Sequence, residues 1–113
     1  MARVSTGLTA ETAVAEFLKQ SGYEILDRNW KTKVCEIDIV ACRSRTVFFI
    51  EVKYRSSLRQ GGGFEYILAR KLKQMEFAAK IWNQRHGWDG DWRLVAAAVS
   101  GPDHQSVDLI EIF

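Results

Sequence analysis

Two runs rich in β-branched and aromatic residues, 34–42 and 47–54, carry charge where a buried strand should have none: Glu36 and Asp38 in the first, Glu51 and Lys53 in the second. The polar link Arg43-Ser44-Arg45-Thr46 between them predicts a β-hairpin. Side chains alternate faces along a strand, so Glu36, Asp38 and Val40 share a face, as do Phe49, Glu51 and Lys53. A two-residue turn at Ser44-Arg45 sets Asp38 opposite Glu51 and Glu36 opposite Lys53, with opposed Cβ atoms about 5 Å apart. A three- or five-residue loop would turn Glu51 to the other face. Two opposed carboxylates repel each other and call for a cation. With Glu11 upstream, the series Glu11, Asp38, Glu51-Val52-Lys53 is the residue set that a metal-dependent phosphodiesterase needs. Magnesium takes oxygen ligands and keeps several waters, so one or two carboxylates suffice. The ion polarises a phosphoryl oxygen and lowers the pKa of a bound water. A nearby ammonium orients that water or stabilises the developing charge. Spacing alone leaves a plainer reading open, in which Asp38 and Glu51 are strand-end charges in water and Lys53 is a surface ion-pair partner worth little. Glu36 then pairs with Lys53 or faces solvent.

The elements that must position these groups follow from periodicity. Ala10, Ala13, Val14, Phe17 and Leu18 recur at helical spacing and predict an amphipathic helix over 9–20, stopped by Gly22. Glu11 lies at the rim of its apolar stripe, where it either favours the positive end of the helix dipole or points along the core edge at the hairpin carboxylates. Residues 23–31 predict a first strand, and the hairpin follows the polar turn at 31–33. The segment 55–63, ending in three glycines, reads as a loop that overhangs the carboxylate end of the hairpin. No Gly-Lys-Ser/Thr ends it, so it is not a P-loop. Residues 64–86 predict the longest helix, with Leu68, Leu72, Met75, Ala79 and Trp82 on one stripe and Gly87 as its stop. Strands over 92–99 and 107–113 complete the order α-β-β-β-α-β-β. A mixed five-stranded sheet flanked by helices is the simplest way to bury that order.

Composition narrows the class. The 113 residues suit one domain, and 47% apolar with 27% charged residues is ordinary for a folded globular protein. No apolar run approaches the ~20 residues of a membrane span and no charged-then-apolar leader opens the chain, so a cytosolic protein without a membrane partner is expected. Cys35 and Cys42 lie on opposite faces of one expected strand, too far apart to bridge, and with only His86 and His104 they form no zinc set. The net charge is +2, yet 53–85 holds eight Lys and Arg against two Glu, whereas the tail from Asp103 has three acids and no Lys or Arg. That asymmetry suits an anionic partner, although on charge alone a solvated helix face is the favoured account.

The chain also resembles the restriction-endonuclease-like D…ExK nuclease superfamily, which includes archaeal Holliday-junction resolvases. More narrowly it resembles the YraN-like bacterial family. The matching stretches are Gly7-Leu8-Thr9-Ala10-Glu11, Gly22-Tyr23-Glu24-Ile25-Leu26-Asp27-Arg28-Asn29-Trp30, Cys35-Glu36-Ile37-Asp38-Ile39-Val40-Ala41 and Val47-Phe48-Phe49-Ile50-Glu51-Val52-Lys53-Tyr54-Arg55, then Lys71 with Ala78-Ala79. The chain departs from the family pattern at Ala10 and Cys35, where glycine is usual, and at Val95, where an Asp is. The resemblance implies a restriction-endonuclease-like α/β fold with Asp38 and Glu51 as ligands of Mg2+ or Mn2+. Glu11 would assist through water and Lys53 would serve the catalytic water.

Three readings of function follow. The first is a Mg-dependent endonuclease acting on structured or branched DNA, with Arg55, Arg59, Lys71 and Lys73 on the nucleic acid and a homodimer suited to junction-like substrates. The second keeps the fold and the DNA but not the cutting. The third is a protein-interaction domain in which Trp82, Trp88 and Trp92, if exposed, are the anchors.

Overall fold

The computed structural model describes residues 6–55 and 69–113. The glycine-rich stretch, the first residues of the expected second helix and Arg59 fall outside them. The elements run α1 (Thr6–Gln20), β1 (Glu24–Lys31), β2 (Glu36–Arg43), β3 (Thr46–Arg55), α2 (Ala69–His86), β4 (Asp91–Ser100) and β5 (Ser106–Glu111). This is the order α-β-β-β-α-β-β, with one five-stranded mixed sheet whose strands lie side by side in chain order. β1–β2, β2–β3 and β4–β5 are antiparallel, and β3–β4 is parallel because α2 carries the chain back to the same end of the sheet.

The helices stop where glycine allows it. Gly22 (φ 90°) and Gly87 (φ 66°) take left-handed backbone just beyond α1 and α2, where a side chain would be strained. The apolar stripe of α1, including Val14 and Leu18, packs on one face of the sheet against Ile39, Ala41, Ile50, Ala97 and Val99. The stripe of α2, Met75, Ala78, Ala79 and Trp82, covers the other face with Val40, Val47, Phe49 and Leu94. β4 is buried from Leu94 to Ser100, as a strand covered on both faces must be. Trp82 is 4% exposed, and Trp88 and Trp92 are partly buried against the same cluster, so none of the three stands out as an exposed anchor.

The hairpin turn is the two-residue kind. β2 and β3 pair in the register Arg43–Thr46 through Ile39–Ile50. Ser44 (φ 52°) and Arg45 (φ 64°) both have left-handed backbone, the geometry that matches the twist of a tight hairpin and that Asn-Gly adopts more readily. Ser44→Asn with Arg45→Gly is therefore expected to stabilise the fold by about 1 kcal/mol, the cost of left-handed backbone in an L-residue. Chemical denaturation would read this as a raised midpoint at unchanged slope.

Candidate functional site

The β2–β3 ladder ends at Ile39–Ile50. Immediately beyond it Asp38 turns a carboxylate oxygen onto the Val52 N–H, which donates at 2.8 Å. A side chain thus takes an amide that faces β2 and would otherwise join a further rung. Strand alternation also breaks here. Ile37 packs on the α2 face and Ile39 on the α1 face, although they are two residues apart. On the far side of β2 the pairing with β1 runs through Arg28–Ile39 and Trp30–Ile37 and skips Asn29, whose φ is 52°. Asp38 therefore lies at a distorted point between two strands. Neither expected opposition, Asp38 with Glu51 or Glu36 with Lys53, is a rung of the ladder, because the pairing stops at Ile39–Ile50. Glu36 instead meets Lys31 of β1, its ladder partner, with the charged atoms 3.9 Å apart.

Three carboxylates are brought into one electrostatic group. Glu11 of α1 is 6% exposed, and its Oε1 has no hydrogen-bond partner among the described residues. Arg28 Nε stands 3.6 Å from that oxygen, and Arg28 Nη2 donates to Thr12 Oγ1 at 3.1 Å, tying β1 to the same turn of α1. Burial raises the Glu11 pKa above the usual carboxylate value and the Asp38 charge raises it further, against the pull of Arg28 and Asn29. The Asp38 pKa is raised chiefly by burial and then by Glu36, partly offset by the Val52 bond and by Lys71. Burial also raises Glu51, with the Asp38 charge second, opposed by Lys71. Asp38 is the middle member, felt by both neighbours.

Lys71 of α2 enters the site directly, its Nζ 3.1 Å from Glu51 Oε2. Lys53 is half-buried on β3, on the Glu51 side of the strand, and lies in register with Ala98 of β4. Lys73 is exposed on α2. Arg55 is the last residue of β3. A cleft of about 380 Å3 opens beside Glu51 and Lys71, between the β1–β2 link and α2. Arg28, Asn29 and the Val52 amide are site groups to which the residue spacing assigned no chemistry. Asn29 carried a usable signal, since asparagine inside a strand pattern is among the few residues that tolerate positive φ.

Among the described residues no group of three His, Cys, Asp or Glu side chains is arranged to hold a metal ion. The coupled carboxylates of Asp38 and Glu51 offer a cation a set of hard oxygens. It suits magnesium or manganese, which bind through few carboxylates and retain waters, and it does not suit a closed zinc site.

Fold and site together define a mixed α/β domain with coupled carboxylates at the opened end of a hairpin. Residues 10–112 match the family described as "Uncharacterised protein family UPF0102", and the chain belongs to that family. Relatives include a UPF0102 protein of Renibacterium salmoninarum, 37% identical over 101 residues that cover 88% of this chain and 86% of the relative. One from Cytophaga hutchinsonii is 31% identical over 103 residues, 91% of each chain. One from Caldicellulosiruptor saccharolyticus is 42% identical over 79 residues, 70% of this chain and 67% of the relative. No helix among the described residues is long and apolar enough to cross a membrane.

Proposed function

We propose that the chain is a metal-dependent endonuclease that hydrolyses phosphodiester bonds of structured or branched DNA. The observation that carries this reading is the coupled group of Glu11, Asp38 and Glu51. Three carboxylates from three elements gather at one end of an apolar sheet, each with its proton affinity raised by burial. Structural ion pairs do not need a third carboxylate at such a point, whereas perturbed, mutually coupled acids are characteristic of functional sites.

Asp38 and Glu51 would hold Mg2+ or Mn2+, which when bound supplies a Lewis acid and an activated water. Val52 fixes the Asp38 carboxylate through its N–H. Lys71 neutralises Glu51 until a cation takes over that role. Lys53, on the Glu51 side of β3, is suited to orient the attacking water. Glu11, held beside Arg28, accepts a proton or a water from the same group. Lys73, with Arg55 and Arg59, would grip flanking phosphates, joined by Lys71 once a cation has taken over Glu51, and would make affinity fall steeply with salt. A junction presents two strands to cut, which a two-fold dimer of this chain would match.

Calorimetric titration with Mn2+ tests the core of the proposal without a guess about substrate. The wild type is expected to bind one ion, and Asp38→Asn and Glu51→Gln each to abolish the heat. Cleavage of branched DNA that survives both substitutions would overturn the assignment. Salt-sensitive DNA binding without Mn2+ binding or turnover would favour a module that holds DNA and does not cut it.

A further inference from the structure

We propose that the cleft beside Glu51 receives an unpaired nucleobase next to the bond to be cut. The inference rests on the nuclease reading of the carboxylate group and adds the substrate class. The volume of about 380 Å3 is within the range of small-molecule sites. The character of the walls decides what fits. Lys31 and Lys71 line the cleft, but each faces a carboxylate that lines it too: Lys31 meets Glu36 at 3.9 Å and Lys71 meets Glu51 at 3.1 Å. The charged walls therefore cancel, and a phosphate gains little by entering.

What remains is an apolar surface rimmed by hydrogen-bonding groups. Phe77, 51% exposed on α2, and Val34, 70% exposed before β2, line the same cleft from its two sides. Large apolar side chains left this open in a wall of ion pairs suit a flat, polar-edged ring. A nucleobase is such a ring, with a stacking face for the aromatic side chain and an edge of donors and acceptors. Gln74 and the Lys–Glu pairs offer both donors and acceptors to that edge. A base paired in a duplex cannot enter. An unpaired one can be accommodated at little unstacking cost, so nucleic acid with an unpaired nucleotide is preferred. Glu51 belongs both to the cleft and to the proposed metal pair, so the phosphate attached to a captured base lies by the carboxylates.

The test compares two DNA duplexes of equal length, one fully paired and one with a single unpaired 2-aminopurine. Binding is measured by anisotropy in EDTA, so that no cleavage intervenes. The wild type is expected to prefer the unpaired substrate about tenfold, the scale of one stacking contact. 2-Aminopurine fluorescence should be quenched on binding. Phe77→Ala should lose the preference while its affinity for the paired duplex stays unchanged, and Phe77→Trp should restore it. Phe77 is half exposed, so these variants are expected to fold. Equal affinity for the two duplexes, or a preference that survives Phe77→Ala, would overturn the base-pocket inference. Cleavage in Mn2+ is scored on the same substrates. Preference without turnover would overturn the nuclease reading and leave the pocket, whereas turnover without preference would do the reverse. Failure to bind either duplex would overturn both.

Discussion

Asp38→Asn is expected to make the protein more stable at neutral pH while removing its Mn2+ binding and lowering cleavage by at least about 10²-fold, the scale of losing one group that stabilises transition-state charge. Asp38 is the residue whose charge raises the pKa of both Glu11 and Glu51. Removing that charge relieves both neighbours and the burial of the carboxylate itself, while an asparagine oxygen still accepts from Val52. The gain expected is about 1 kcal/mol, in the range of single stabilising changes that sacrifice a functional group. For a domain of this size that is about 4 °C in Tm. The pH dependence fixes the sign. Carboxylates with raised folded-state pKa values bind more protons folded than unfolded. Wild-type stability should fall as pH rises through those folded values and be regained as pH drops towards the ordinary carboxylate range. Asp38→Asn should flatten this slope, and saturating Mn2+ should flatten it in the wild type. Urea unfolding at several pH values checks both. A variant less stable than wild type across the range would show that the carboxylate holds the hairpin together more than it strains it.

Trp82→Ala is expected to cost about 3–5 kcal/mol, a large part of the 5–15 kcal/mol that holds a domain folded. Trp82 packs edge-on against Phe49 with ring centroids 5.5 Å apart, stacks on His86 at 4.0 Å, and donates its indole N–H to Asp27 at 2.8 Å. One side chain thus joins α2 to the sheet centre and to β1. Trp82→Phe keeps most of the packing and loses the bond to a carboxylate, so about 2 kcal/mol is expected. Because α2 also carries Lys71, even the mild variant should weaken the Lys71–Glu51 pair and shift the apparent Mn2+ affinity. Thermal unfolding and Mn2+ titration of the two variants would separate the packing loss from its effect on the site. A Trp82→Phe protein with wild-type stability would mean that the Asp27 bond contributes nothing.

The hairpin was legible because its two signals agreed. Alternation placed Glu51 on the Phe49 side of β3, and the four-residue polar link marked a turn, although its length was left open. The register Ile39–Ile50 follows from the two-residue version of that link. The order of helices and strands was legible for a similar reason, since apolar stripes and glycine stops coincide at 22 and 87. The distortion at Asp38 was not. It arises from a carboxylate bonding to a backbone amide and from an asparagine at positive φ, and neither leaves a period in the sequence. The place of Lys71 was equally hidden. Its charge pointed to an anionic partner, but its approach to Glu51 depends on how α2 lies on the sheet, a long-range matter settled by Trp82 and Phe49. Trp82 fits the apolar stripe, and the stripe, rather than its size and chemistry as an anchor, describes where it lies.

The bond from Val52 to Asp38 also makes the protein its own indicator. A backbone amide whose acceptor is a carboxylate oxygen changes its proton resonance when that oxygen loses charge to a proton or shares it with a cation. The Val52 amide signal in a nitrogen–proton correlation spectrum should therefore move with pH along the Asp38 titration and jump when Mg2+ arrives, while Val99, deep in β4, stays still. One isotope-labelled sample would then follow proton, metal and substrate at the same atom.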